Sequence, residues 1–130
     1  MDYQFLPVFQ GLTEQELHDL EQIGAIRRQK FNKHVTVFHV GDLVHEIGIV
    51  SERSVLIENN DLRGNKSILS RVEKGQVFAE SYAFHEVPLM VDAIADEDSL
   101  ILFLDVQRLM EEQNVQATWY CKMLKNLLLI

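Results

Sequence analysis

The amino-acid sequence predicts a mainly β fold, an antiparallel barrel or jelly roll with helices on either side. Two patterns indicate this fold class. From Arg27 onward, hydrophobic residues recur with a period of two in short runs, and turn residues separate the runs about every ten residues. Before and after this region, apolar residues follow helical spacing. We expect a single domain over residues 1–130, because 47% of the residues are hydrophobic and can form a core.

An N-terminal helix is expected over about residues 13–24. Thr13 and Glu16 have the spacing of a capping box, in which the threonine hydroxyl accepts a hydrogen bond from the amide three residues on and the glutamate bonds back. The apolar side of the helix and the glycine that ends it follow at the expected positions: Leu17, Leu20, Ile23 and Gly24.

The barrel is expected over about residues 25–105. Ser51-Glu52-Arg53 is interpreted as a hairpin tip, and Gly64-Asn65 as a second turn. The aliphatic residues that mark its strands are Val35, Val37, Val40, Ile47, Val50, Val55, Ile57, Ile68 and Val72.

Helical spacing returns after the barrel and predicts C-terminal helices over about residues 106–130. A short helix contains Leu109 and Met110 and breaks near Gln113-Asn114; a longer one begins near Val115. The apolar residues of the longer helix form two stripes, more than is needed to cover a barrel. The chain ends in an apolar run without a polar terminator, which indicates a helix cut in mid-course or buried against a partner. We therefore expect a homodimer through this helix. The predicted dimer-helix residues are Trp119, Tyr120, Met123, Leu124, Leu127 and Leu128.

Charge and cysteine content argue against several functions. The net charge is −8, and the one concentration of cations, Arg27-Arg28-Gln29-Lys30, is expected to alternate along a solvated strand. Because DNA binding needs clustered cations, we expect none from this chain alone. The single cysteine, Cys121, cannot form an intrachain disulfide or a metal site alone, and it favours a cytoplasmic location. We expect no leader and no membrane span, since no apolar run approaches roughly 18 residues.

Three segments in order resemble a known family: "DLRGNKSIL" (residues 61–69), "EKGQVFAES" (73–81) and "VDAIADEDSLILFLD" (91–105). They are similar to the phosphate-binding cassette and flanking strands of the cyclic nucleotide-binding domain of Crp/Fnr-type bacterial transcription regulators. The resemblance implies a double-stranded β-helix, or jelly-roll barrel, followed by a long C-terminal helix. It also implies an effector-sensing and dimerisation domain that binds DNA only through a winged helix-turn-helix, which is absent from this chain. In the family a glycine is common where Ser51-Glu52-Arg53 lies.

The resemblance places a candidate ligand pocket around the second segment. Its conserved glutamate position falls on Glu80, but the position of its phosphate-binding arginine falls on Leu89, and no Lys or Arg occurs from Gly75 to Gln107. We therefore expect no response to cyclic AMP, and an unidentified neutral or apolar effector, or none. Glu80 either accepts a hydrogen bond from a ligand hydroxyl or caps a short helix. The candidate pocket residues are Val77, Phe78, Ala79, Glu80, Ser81, Leu89 and Met90.

The sequence does not favour catalysis or metal binding. His34 and His39 are five residues apart, a Gly-Asp turn separates His39 from His45, and no His-x-His occurs. We expect no catalytic residues, no metal site and no cofactor. A non-enzymatic sensor domain is the leading hypothesis. The alternatives are a stand-alone regulatory or interaction module of the same fold and, less favoured, a cupin-type metal enzyme. A coding sequence that continues into a helix-turn-helix would separate the sensor domain from the stand-alone module. Metal analysis of the purified protein would separate the enzyme.

Overall fold

The computed structural model of the protein describes residues 3–60 and 63–130. The strands within these residues are β1 (Ile26–Phe31), β2 (Thr36–Phe38), β3 (Glu46–Glu52), β4 (Ser54–Asn60), β5 (Lys66–Glu73), β6 (Val77–Phe78), β7 (Asp92–Ala95) and β8 (Ser99–Asp105). The helices are α1 (Glu14–Gln22), α2 (Glu80–His85), α3 (Val106–Leu109) and α4 (Thr118–Leu128), with 3₁₀ turns at Pro7–Phe9 and Glu112–Asn114.

The strands form two antiparallel four-stranded sheets that face each other. The strand order is β1-β8-β3-β6 in one sheet and β2-β7-β4-β5 in the other. Consecutive strands repeatedly change sheets, as in a jelly roll. The predicted fold class, mainly β with flanking helices, is confirmed.

An inner core fills the space between the sheets. Phe38 lies at its centre, with its ring centroid 5.8 Å from that of Phe78 and 5.6 Å from that of Phe103. Gly48 on β3 makes room for this packing, because a Cβ atom there would lie 2.2 Å from Cζ of Phe78. The inner core also contains Phe31, Val50, Val55, Val72, Leu89 and Ile101.

An outer core lies between the β1-β8-β3-β6 sheet and the helices. β8 is buried on both faces: Ile101 and Phe103 belong to the inner core, whereas Leu102 and Leu104 belong to the outer one. A strand buried on both faces needs a continuous apolar run, which explains the sequence "LILFL". The outer core also contains Phe9, Leu17, Leu20, Ile47, Ile49, Leu109, Trp119 and Met123.

The predicted capping box at the start of α1 is confirmed. Oγ1 of Thr13 accepts a hydrogen bond from the backbone N–H of Glu16 at 3.1 Å, and Oε1 of Glu16 accepts one from the N–H of Thr13 at 2.9 Å. Gly24 follows the helix with a φ of +77°, in the left-handed region that favours glycine.

The two predicted turns have different outcomes. Ser51-Glu52-Arg53 is not a hairpin tip, because β3 and β4 lie in different sheets and the chain turns a corner there. Arg53 has a φ of 70°, a conformation that glycine adopts more readily. The turn near Gly64-Asn65 does join a hairpin, since β4 pairs with β5 from Ser54↔Glu73 to Asn60↔Lys66. Residues 61 and 62 of the resembling segment lie outside the described residues.

The C-terminal helix is shorter than predicted. It comprises the 11 residues of α4, and Val115 precedes it as the C-cap of a 3₁₀ turn. The chain is extended at Ala117, with a ψ of 144°, so the helix cannot begin earlier. Nδ2 of Asn114 also donates a 2.7 Å hydrogen bond to the carbonyl of Arg108, which fixes the turn locally.

Polar contacts hold α4 against the N-terminal segment. Nζ of Lys122 lies 2.6 Å from Oε1 of Glu16 on α1. Nδ2 of Asn126 donates hydrogen bonds to the carbonyls of Val8 and Gln10, at 2.9 and 2.8 Å. These contacts fix the orientation of α4, so that Trp119 faces the outer core.

Candidate ligand cavity

A cavity of about 210 Å³ lies between the β2-β7-β4-β5 sheet and the segment that leads from β6 into α2. Strands and loops contribute both walls, as is common for ligand sites at the mouths of barrels. The cavity is lined by Ile57, Ser70, Val72, Val77, Phe78, Ala79, Glu80, Ser81, Tyr82, Leu89, Val91 and Ala93.

The segment from β6 into α2 turns sharply at Ala79. This residue has a φ of 65° and a ψ of 12°, and its carbonyl accepts a 3.0 Å hydrogen bond from the N–H of Ala83. The left-handed conformation costs a residue with a Cβ atom roughly 1–2 kcal/mol. The turn places Glu80 and Ser81 at the cavity wall.

Leu89 is fixed in the opposite wall by backbone hydrogen bonds. Its N–H donates to the carbonyl of Asp42 at 2.9 Å, and its carbonyl accepts from the N–H of Gly41 at 2.8 Å. The side chain is 2% exposed and packs in the inner core. The position at which the resemblance places an arginine therefore carries a buried aliphatic side chain.

The structure brings together all the predicted pocket residues except Met90. Met90 is 74% exposed and does not line the cavity, because the hydrogen bonds of the preceding Leu89 turn its neighbour outward. Tyr82, Val91 and the lining residues of β4, β5 and β7 are absent from the predicted pocket. The alternation of Ser70 and Val72 along β5 places both on the cavity side, and it is the signal that could have found them.

The charge of the cavity is negative. Glu80 is the one charged residue among those that line it, and it is half-buried. Within residues 3–60 and 63–130 its carboxylate makes no hydrogen bond and no ion pair. Arg71 is adjacent in sequence to the lining residue Ser70, but its guanidinium pairs with the carboxylate of Asp96, which also accepts a 3.1 Å hydrogen bond from Oγ of Ser54.

An apolar groove of about 570 Å³, which we term the α2–α4 groove, adjoins the cavity at Glu80 and Ser81. It lies between helices α2 and α4, and its exposed apolar residues include Phe84 and Met110. The remaining lining residues are His85, Leu124, Leu127, Leu128 and Ile130.

The predicted dimer-helix residues separate into two groups. Trp119 and Met123 are 3% and 0% exposed and belong to the chain's own outer core, so they are not available to a partner. Tyr120 and Leu127 are partly buried against the same core. Leu124 and Leu128 line the α2–α4 groove, and Leu128 is 86% exposed.

Residues 3–60 and 63–130 contain no group of three His, Cys, Asp or Glu side chains placed to hold a metal ion. None of the helices in the same residues is both long and apolar enough to cross a bilayer.

Comparison with protein families identifies the fold. Residues 28–113 match the family described as the cyclic nucleotide-binding domain. The chain belongs to the cyclic nucleotide-binding domain family. This confirms the resemblance that the three sequence segments indicate. No curated protein matches the chain.

Solved structures show the same fold. The catabolite activator protein of Thermus thermophilus aligns with a TM-score of 0.71 and 23% identity, over 95% of this chain and 56% of that one. The N-terminal domain of a transcriptional regulator from Streptomyces coelicolor aligns with a TM-score of 0.74 and 20% identity, over 98% and 88%. DNR from Pseudomonas aeruginosa aligns with a TM-score of 0.74 and 20% identity, over 97% and 55%. The chain thus spans a little over half of the Thermus and Pseudomonas proteins.

Proposed function

We propose that this chain is the effector-sensing and dimerisation domain of a Crp/Fnr-like transcription regulator of the cytoplasm, and that its cavity does not take cyclic AMP. The observation that carries the proposal is the cavity itself. The cavity lies where the resemblance to the family's phosphate-binding cassette predicts a ligand. Leu89 occupies the position of the family's arginine, and Glu80 is the one charged residue among those that line the cavity. DNA binding would belong to a further domain.

The chemistry of a cyclic nucleotide explains the expected loss of binding. Its phosphodiester is an anion that needs charge-assisted hydrogen bonds, and removing one such contact costs roughly 1.5–3 kcal/mol. That cost corresponds to an affinity lower by about ten- to a hundred-fold. The charge of the cavity therefore disfavours the nucleotide.

Calorimetric titration with cyclic AMP and cyclic GMP tests this part of the proposal. We expect no binding by the wild-type chain in the micromolar range. Leu89→Arg should gain affinity for cyclic AMP because it supplies a cation at the cavity. Met90→Arg is the matched control, since Met90 is exposed outside the cavity and its replacement should gain little. Micromolar binding by the wild-type chain would contradict the proposal.

The dimerisation part rests on the α2–α4 groove. Leu128 and the neighbouring Met110 expose apolar surface there, and each large side chain that a partner covers contributes roughly 1.5–3 kcal/mol before association entropy is deducted. A second copy related by a two-fold axis would cover both grooves with the same surface.

Sedimentation measures this association. The wild-type chain should dimerise at high micromolar concentration, and Leu124→Lys with Leu128→Lys should give a folded monomer. Leu43→Lys is the control, because Leu43 is 55% exposed and does not line the groove. A wild-type chain that stays monomeric at high micromolar concentration would refute dimerisation through this surface.

A further inference from the structure

The Glu80 carboxylate is a hydrogen-bond acceptor beside an apolar cavity. It is half-buried, and in the described ranges 3–60 and 63–130 it accepts no hydrogen bond and pairs with no cation. Around it the lining residues are mostly aliphatic, with the rings of Phe78 and Tyr82 and the hydroxyls of Ser70 and Ser81. A carboxylate in such surroundings loses part of its hydration, and within the described residues no hydrogen bond replaces it.

We propose that the cavity binds a small organic cation, a protonated amine carried on an apolar body. This inference rests on the proposed function, in which the cavity no longer takes a cyclic nucleotide. The ammonium group would donate hydrogen bonds to the carboxylate of Glu80, and the apolar body would occupy the space between Phe78 and Leu89.

Charge selects a cation over an anion here. The lining residues supply one negative charge and no Lys or Arg, and Arg71, next in sequence to the lining residue Ser70, is already paired with Asp96. An anionic ligand would meet Glu80 without compensation. An ammonium group instead forms a charge-assisted hydrogen bond, which is about twice as strong as one between neutral groups.

The aromatic and aliphatic side chains of the cavity wall favour a ligand whose body is apolar. Phe78 is 3% exposed and fixed in the inner core, so its ring presents a rigid apolar surface. Aromatic rings attract organic cations through their π faces, and Tyr82 adds a second ring to the lining. With a volume of about 210 Å³, the cavity suits a ligand smaller than a nucleotide.

Three compounds of similar shape test the charge preference: benzylamine, benzyl alcohol and benzoate. Each is titrated into the isotope-labelled chain, and backbone amide shifts are followed by NMR. We expect benzylamine to shift the amides of residues 77–82 and 89–93 and to bind at least about tenfold more tightly than benzoate. Benzyl alcohol should lie between them. Equal or tighter binding of benzoate, or no amide shifts with benzylamine, would overturn the inference.

Two isosteric variants assign the preference to one carboxylate. Glu80→Gln should abolish the tenfold preference for benzylamine over benzoate while the amide spectrum stays that of a folded chain. Glu86→Gln is the matched control: Glu86 follows the same helix, does not line the cavity, and bonds to Gln107 at 3.4 Å. It should retain the preference. An unchanged preference in Glu80→Gln would overturn the assignment.

A further titration, of cyclic AMP into the same labelled chain, separates this inference from the proposed function. If cyclic AMP shifts the cavity amides at micromolar concentration, the proposed function fails and this inference fails with it. If neither cyclic AMP nor benzylamine causes shifts, the proposed function stands and the cation inference alone is wrong.

Discussion

Replacing Glu16 by Gln tests how strongly α4 is held against α1. Nζ of Lys122 lies 2.6 Å from Oε1 of Glu16, and Glu16 is 5% exposed. Glutamine keeps the shape of the side chain and can still accept the N–H of Thr13, as capping boxes with glutamine do. The substitution therefore removes the charge and leaves the cap of α1 in place.

The magnitude follows from the pKa of Glu16. Burial acts to raise this pKa, but the hydrogen bonds from Nζ of Lys122 and the backbone N–H of Thr13 outweigh it and lower the pKa from 4.5 to about 2. At about 1.36 kcal/mol for each pKa unit, this depression is equivalent to roughly 3 kcal/mol. The Lys122 side chain is 42% exposed, so solvent screens part of the attraction. We expect Glu16→Gln to lower the free energy of unfolding by about 2 kcal/mol near neutral pH.

The pH dependence identifies the carboxylate as the source. A carboxyl group whose pKa is lower in the folded chain than in the unfolded chain stabilises the fold. This stabilisation is complete at pH values above the pKa of the unfolded chain, and it is lost as the pH falls toward the pKa of the folded chain. The difference in the free energy of unfolding between wild type and Glu16→Gln should keep its full size from neutral pH down to about 5. It should be roughly halved by pH 3. Urea unfolding at several pH values measures it, and a double-mutant cycle with Lys122→Met isolates the pair. A difference that does not change with pH would refute the reasoning.

Three further predictions concern the cavity wall, the core and DNA. Ala79→Gly should raise the free energy of unfolding by about 0.5–1 kcal/mol, because glycine relieves the left-handed conformation at φ 65°, and a destabilised variant in urea unfolding would contradict this. Gly48→Ala should lower the free energy of unfolding by about 2 kcal/mol or more, since its Cβ would overlap the buried ring of Phe78, and an unchanged urea midpoint would count against that packing. The chain, with a net charge of −8, should not shift a duplex DNA probe at physiological salt; a salt-sensitive shift would be evidence for a basic surface.

Local sequence patterns predicted the elements whose structure depends on local interactions. The capping box of α1 needs only Thr13 and Glu16, and both are close in sequence. The strand β8 was predictable from its apolar run, because burial on both faces leaves no place for polar residues. The order of the three resembling segments indicated the family, since several weak motifs in a fixed order are more specific than any one of them.

The features that the sequence did not predict depend on strand pairing or on local backbone geometry that no motif marks. The residues around Arg53 are typical of a hairpin turn. The segment is a corner and not a hairpin because β3 and β4 belong to different sheets. The late start of α4 depends on the bond from Asn114 to Arg108 and on the extended backbone at Ala117. The resemblance places Met90 beside Leu89 in the pocket, but in the structure Leu89 is buried there and Met90 is 74% exposed outside it.

Thermal unfolding of the chain with and without cyclic AMP tests the central claim, that this cyclic nucleotide-binding domain does not bind the nucleotide. A ligand present at about a hundred times its Kd, and bound only by the folded chain, adds roughly 2.7 kcal/mol to the free energy of unfolding and raises the midpoint by several degrees. We predict that cyclic AMP at about 1 mM leaves the midpoint unchanged, since micromolar binding would reach that regime. A midpoint raised by several degrees in the wild-type chain would contradict the account.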